Sequence, residues 1–236
     1  MTLAAIALAA SLAAGQPLPG TLAYSRLTVD AALTPRGAEF TLRGVLVNNM
    51  GEPAVPGYGY IVLSAVAPEK LLGILPVGGA KRVPVRIGHV RVLVDGKPVD
   101  YRVEYVNGTA VLKYSVWRPI PPGGKVSVEV SFETEGVAAD GPLFRHYSLR
   151  LGFPHESVGE AVVRVSAKGG WLCYTSLPGG AATFRGLGPG STLGFEAEVS
   201  KYVPLPLLPF PGSLLLWGAV AAAGVALLLY KRARRV

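Results

Sequence analysis

Apolar and polar residues alternate with a period of two through the middle of this chain, as in His89-Val-Arg-Val-Leu-Val and Lys125-Val-Ser-Val-Glu-Val-Ser-Phe. Successive side chains on a strand point to opposite faces, so the alternation marks strands buried on one side only. Turn signals recur roughly every eight to fifteen residues, with no long amphipathic helical stretch between them. The expected fold class is all-β: one or two tandem antiparallel β-sandwich (Ig-like) domains, followed by one C-terminal transmembrane helix. Asp95-Gly96 and Asn107-Gly108 are the strongest short hairpin signals and predict a three-stranded meander over 89–117.

Two segments echo each other, Arg118-Pro-Ile-Pro-Pro-Gly-Gly-Lys-Val-Ser-Val-Glu-Val and Arg185-Gly-Leu-Gly-Pro-Gly-Ser-Thr-Leu-Gly-Phe-Glu-Ala-Glu-Val. Each is a Pro-Gly turn feeding an alternating strand. The echo predicts a β-sandwich domain over 20–136 and a second, smaller β domain over 137–203, joined near 136–142 where the pattern lapses into small residues.

Both ends are hydrophobic. Residues 3–14 (LAAIALAASLAA) form an apolar run of signal-peptide length, and Ser11, Ala13 and Gly15 offer small residues for cleavage, so 1–15 is expected to be a signal peptide. Residues 213–230 (SLLLWGAVAAAGVALLLY) carry no charge, and at 1.5 Å per residue they reach about 27 Å, close to the hydrocarbon thickness of a bilayer. Trp217 and Tyr230 lie toward the two ends of this span as interfacial anchors. Lys231, Arg232, Arg234 and Arg235 follow at once in the 231–236 tail, which the positive-inside rule assigns to the cytoplasm. The expected location is therefore the cell membrane, single-pass, with the N-terminal domain outside. Residues 204–212, broken by prolines, predict a stiff connector near the membrane surface. Gly218, Ala222 and Gly224 give the span a small-residue face on which another helix could pack.

The formal charge is +8, from 23 Lys and Arg against 15 Asp and Glu. Four of the basic residues belong to the tail, so the β region is only mildly basic and is not expected to bind nucleic acid. Cys173 is the only cysteine, which excludes an intramolecular disulfide and any zinc site built from several cysteines. It reads as a small buried hydrophobe. The amides are few, Asn48, Asn49, Asn107 and Gln16, a shortage of thermolabile side chains that fits a thermophile.

Little in the chain carries chemistry. His146, His155, Glu156 and Asp140 are the nearest approach to a polar constellation, but the two histidines flank a Gly-Phe-Pro break and match no ligand spacing. His89 stands alone in a strand. Ser191 lacks a nucleophile elbow and reads as a turn residue. The glycine pairs precede strands, so they present no helix N-terminus to a phosphate. No catalytic residue, cofactor or metal is expected. Asn107-Gly108-Thr109 is a glycan acceptor sequon, and Asn-Gly is also what a tight hairpin requires. The apolar run 58–66, with Leu71-Leu72-Gly-Ile-Leu75, reads as core or as a docking patch.

From about Tyr24 to Leu205 the order of features resembles the luminal β region of ribophorin I, the accessory subunit of the oligosaccharyltransferase. The points of likeness are Pro122-Gly-Gly-Lys-Val-Ser-Val-Glu-Val-Ser-Phe-Glu-Thr, His146-Tyr147 with Phe153-Pro154, Val162-Val-Arg-Val with Tyr174-Thr-Ser-Leu, and Phe195-Glu-Ala-Glu-Val. This chain is much shorter, and no folded cytoplasmic part is expected after the helix. The resemblance implies a non-catalytic scaffold beside a multi-span glycosyl transferase in protein N-glycosylation, and it carries over no binding residue.

The expectation is therefore a non-enzymatic accessory subunit of a membrane protein complex, with an integral membrane partner and the lipid bilayer as its surroundings. The alternative is a structural cell-surface protein, an envelope-layer anchor or adhesion module. An apolar patch near the membrane would favour the subunit, and contacts at the distal end would favour the anchor.

Overall fold

The computed structural model describes residues 22–71 and 75–233, and the side chains of 68–80, 217, 228, 231 and 233 lie outside that description. The expected signal peptide, the tip of the 71–75 run, Arg234 and Arg235 therefore fall outside the described residues.

Fifteen strands are described. In chain order they are β1 (Leu22–Thr34), β2 (Gly37–Asn48), β3 (Gly57–Leu71), β4 (Leu75–Val83), β5 (Arg86–Val94), β6 (Lys97–Pro98), β7 (Tyr101–Val106), β8 (Thr109–Val116), β9 (Lys125–Glu135), β10 (Ala138–Asp140), β11 (Phe144–Gly152), β12 (Ser157–Ala167), β13 (Trp171–Thr175), β14 (Ala181–Leu187) and β15 (Thr192–Ser200). A single 3-10 turn (Pro178–Gly180) precedes β14, and one α-helix, α1 (Gly212–Ala233), closes the series. The first sheet has the order β14-β12-β1-β2-β9-β5-β6, and the second β13-β15-β11-β3-β8-β7, with β10 on β11 and β4 on β3. The two sheets share one core, to which Leu33, Phe40, Val130 and Val163 contribute from the first and Leu63, Leu112, Leu149 and Phe195 from the second. The all-β reading holds.

The predicted division into two domains does not. β1 pairs in parallel with β12 over ten residues, from Ala23 opposite Ser157 to Leu33 opposite Ala167. In the other sheet β3 pairs with β11 from Ala65 opposite Leu149 to Gly152 opposite Val62. Each sheet thus interleaves strands from both halves, and the 136–142 segment holds β10 within the second sheet. The echoing turn-strand segments end in different sheets, β9 in the first and β15 in the second.

The predicted meander is corrected in the same way. Both Gly-containing turns form: Asp95 and Gly96 have φ of 47° and 74°, Asn107 and Gly108 of 50° and 78°. Left-handed backbone at both positions matches the right-handed twist of paired strands. The first turn joins β5 to β6 in one sheet and the second joins β7 to β8 in the other, so the chain crosses the sandwich at Val99 and Asp100. There the Val99 N–H donates to the Val92 carbonyl and the Ser115 N–H to that of Asp100, which ties the crossing to both sheets.

Residues 213–230, where a transmembrane helix is expected, lie within α1, a helix of 22 residues. Among the described residues no helix is long and apolar enough to cross a membrane, so the expected transmembrane helix is not found there.

Candidate functional site

The end of the sandwich nearest α1 is built on a buried carboxylate. Glu198 sits on β15 with only 2% of its surface exposed. It accepts a hydrogen bond from the Ser213 backbone N–H at 3.0 Å through Oε2 and one from the Ser213 hydroxyl through Oε1. The first turn of α1 holds no acid of its own. Glu198 therefore supplies, from another element, the negative charge that unsatisfied N–H groups and the helix dipole favour at an N-terminus.

The chain leading into α1 is also fixed. Leu208 donates to the Cys173 carbonyl at 2.7 Å, the Ser200 hydroxyl to the Val203 carbonyl at 2.7 Å, and the Lys201 N–H to the Leu143 carbonyl at 3.0 Å. The 204–212 connector thus meets the β13 edge at one bridge, Leu208 beside Tyr174. Asp140 ties the same end together, accepting from Lys201 Nζ at 2.7 Å and Arg145 Nε at 3.3 Å. Cys173 is fully buried and donates weakly to the Glu198 carbonyl, and burial followed by the Glu198 charge pushes its thiol up to about 11. It is an inert packing residue, as its sequence context predicted.

Around this junction Leu143, Trp171, Tyr202, Val203, Leu207 and Phe210 are exposed, and so are Leu214, Leu215, Val220, Val225, Leu227 and Leu229 along α1. Gly218, Ala222 and Gly224 are exposed too, and a Cβ added at Gly218 or Gly224 would meet nothing within 4 Å. Arg232 is exposed.

The histidine constellation is not assembled. His146 lies on β11 opposite Glu198 and Ala139, at the α1 end, whereas His155 follows the other end of β11 and is exposed. His89 pairs at the surface with Glu133 at 2.9 Å. Among the described residues no group of three or more His, Cys, Asp or Glu could hold a metal. Ser191 is a turn residue whose N–H donates to the Gly188 carbonyl at 3.1 Å. Asn107 sits exposed at the β7–β8 turn.

Two features escaped sequence reasoning. Tyr24 and Tyr114, one from each sheet, meet in the core with their hydroxyls 2.7 Å apart. Burial is the main cause that pushes both phenols above their ordinary range, with charge at nearby Glu156 adding to it. Glu156 is itself buried, its Oε2 has no hydrogen-bond partner among the described residues, and burial lifts its carboxyl to about 7.

The second feature is the contrast between the two outer faces. On the first sheet Arg185, Glu160 and Arg26 form one row of alternating charge across three strands, and Arg164, Asp30, Arg43 and Glu129 form another across four. Two shallow depressions of about 560 Å³ on this face include Arg26, Arg43 and Glu129 in one lining and Asp30 and Arg164 in the other. On the second sheet the outer face carries rings instead. Trp117 lies edge-on to Tyr58 with centroids 5.3 Å apart, and His155 edge-on to Tyr60 at 5.0 Å. Lys113 Nζ stands 3.8 Å above the Tyr58 ring.

No family model matches this chain. It is 24% identical over 137 residues to an uncharacterized protein of Methanocaldococcus jannaschii, a match covering 58% of this chain and 98% of that one. Among solved structures it is similar to the M1 zinc metallopeptidase of Deinococcus radiodurans, at 10% identity and a TM-score of 0.37, covering 81% of this chain and 41% of the peptidase. Leukotriene A4 hydrolase of Saccharomyces cerevisiae follows at 8% identity and a TM-score of 0.33, covering 78% and 30%. The chain thus spans less than half the length of these enzymes, and scores at this level carry no argument about function.

Proposed function

We propose that this chain is a non-catalytic ectodomain tethered to a membrane by α1 and serving as an accessory or scaffold subunit beside a larger integral membrane protein. The observation that carries this reading is the set of exposed apolar side chains on both sides of the junction, Leu143, Trp171, Tyr202 and Phe210 on the sandwich side and Leu214, Val220 and Leu229 on the helix. A helix apolar on all sides is stable only when lipid or protein covers it. Aromatic side chains at its entry are suited to the headgroup level of a bilayer. The Glu198 cap fits the same reading, because it holds the sandwich in a set orientation on the helix. On the likeness to ribophorin I, the partner would be a multi-span glycosyl transferase acting in protein N-glycosylation.

A second reading, a cell-surface module that makes its contacts away from the membrane, is favoured by Trp117 and Tyr58, which are exposed at the end of the sandwich opposite α1. Gentle detergent extraction, affinity capture through the basic tail and mass spectrometry separate the two. Stoichiometric recovery of a multi-span glycosyl transferase supports the subunit. Recovery of the chain alone, or with an envelope-layer protein, overturns it and leaves the surface module.

A further inference from the structure

The rings on the second sheet stand on one outer face as two contacting pairs, Tyr58 with Trp117 and Tyr60 with His155, with Lys113 between them. Tyr58 lies opposite Ser115 and Tyr60 opposite Lys113 on the β3–β8 ladder, so strand alternation sends Tyr58, Tyr60, Lys113 and Ser115 to the same outer face. Trp117 follows β8 and is 66% exposed. Lys113 Nζ reaches both tyrosines, 3.8 Å from one centroid and 5.7 Å from the other. Arg150 joins the face through β11, where it pairs with Ser64 of β3. Single exposed aromatics are ordinary, but two contacting pairs gathered around one lysine on a sheet face mark a binding surface.

The charge on this face chooses the ligand. The cations of the first sheet's two rows are matched by Glu160, Asp30 and Glu129. Arg102, opposite Lys113, pairs with Glu104 at 3.3 Å, but Lys113 and Arg150 form no ion pair among the described residues, and Lys113 is held by ring faces instead. A cation kept over an aromatic face, without a carboxylate, is available to an anion from outside. Ring faces carry a negative quadrupole that suits the C–H faces of pyranose rings, and the hydroxyls of Ser64 and Ser115 lie among them. A sheet face offers a row of contacts rather than a closed cleft, which suits a polymer more than a small molecule.

We propose that the outer face of the second sheet, at the end away from α1, binds an acidic polysaccharide, with Trp117, Tyr58 and Tyr60 stacking on sugar rings and Lys113 and Arg150 meeting the anionic groups. The proposal rests on the ring and charge geometry and does not depend on the subunit reading above.

The test is affinity electrophoresis and tryptophan fluorescence of the full chain in detergent micelles, against polygalacturonate and dextran sulfate, with neutral dextran and polyglutamate as comparisons. The expected result is binding of at least one acidic polysaccharide and none of neutral dextran. Trp117→Ala and Lys113→Gln should each weaken it tenfold or more, while Arg43→Gln on the opposite sheet leaves it unchanged. Binding that is insensitive to Trp117→Ala comes from the basic tail and overturns the proposal, as does the absence of binding to both acidic polysaccharides. Polyglutamate bound as tightly, with the same sensitivity to Trp117 and Lys113, also overturns it and assigns the face to an acidic protein partner.

Discussion

Tyr24 of the first sheet and Tyr114 of the second point at each other through the core, and their hydroxyls share a hydrogen bond of 2.7 Å. Each hydroxyl is buried, so each relies on the other to offset its loss of water. Removing one should leave its partner unsatisfied, and Tyr24→Phe or Tyr114→Phe is expected to cost about 1–3 kcal/mol. The double variant should cost clearly less than the sum, because no orphaned hydroxyl remains. Equilibrium urea unfolding of the four proteins measures this coupling, and strict additivity would show that the bond is not formed.

Room for these rings comes from two glycines. A Cβ at Gly44 would stand 2.6 Å from the Tyr24 ring, and one at Gly59 would stand 2.3 Å from that of Tyr114. Neither position needs a positive φ, so the constraint is space alone. Gly59→Ala and Gly44→Ala should each destabilise by about 1–3 kcal/mol through overpacking. Gly51→Ala, with nothing within 4 Å of the added carbon, should stay within about 0.5 kcal/mol of the parent. Thermal denaturation of the three variants checks the order.

Glu156 should make stability depend on pH. Its native carboxyl is raised from an ordinary 4.5 to about 7, mainly by burial, with the backbone N–H groups of Glu156, His155 and Tyr60 opposing the rise. The native state therefore binds more protons than the unfolded one between about pH 4.5 and 7. Stability falls as pH rises through that window and is level on either side of it. The shift corresponds to roughly 3 kcal/mol at most. Glu156→Gln should flatten the profile and be the more stable protein at pH 8, which melting curves at pH 4.5, 6 and 8 would show.

The Glu198 cap predicts a mechanical effect. Glu198→Ala removes both hydrogen bonds to Ser213 and leaves the first turn of α1 without a negative partner. The expected cost is about 1 kcal/mol for the cap. Cleavage within 204–212 should be faster in limited proteolysis of the detergent-solubilised chain. An unchanged cleavage rate would show that the connector is held by its β13 contacts alone.

Much of this architecture was legible in the residues themselves. The alternation in 89–94 and 125–132 gave β5 and β9, and Asp95-Gly96 and Asn107-Gly108 gave the two hairpins, because turn chemistry acts over four residues. The meander failed because a hairpin signal specifies its own two strands and says nothing about which sheet they join. The two-domain reading failed for a related reason. Parallel pairing of β1 with β12 joins residues more than a hundred positions apart, and no local pattern announces it.

The surfaces followed the same division. That Tyr58, Tyr60 and Lys113 lie in strands could be read from the sequence, but their convergence with Trp117 and His155 depends on the β3–β8 register and on the loop after β11. The acidic cap of α1 could not be read either, since its first turn has no acid and the carboxylate arrives from β15.

By itself the sequence determined the strand-rich class, the tight turns, the burial of Cys173 and the helix near the C-terminus. Each of these follows from periodicity or composition within a short window. Tertiary structure alone decided the pairing of β1 with β12, the meeting of Tyr24 with Tyr114, and the contrast between a sheet face crossed by two rows of ion pairs and one that gathers rings around Lys113. Backbone hydrogen bonds are the same for every strand, so the choice of partner is made by packing across the core, where residues distant in the chain first come into contact.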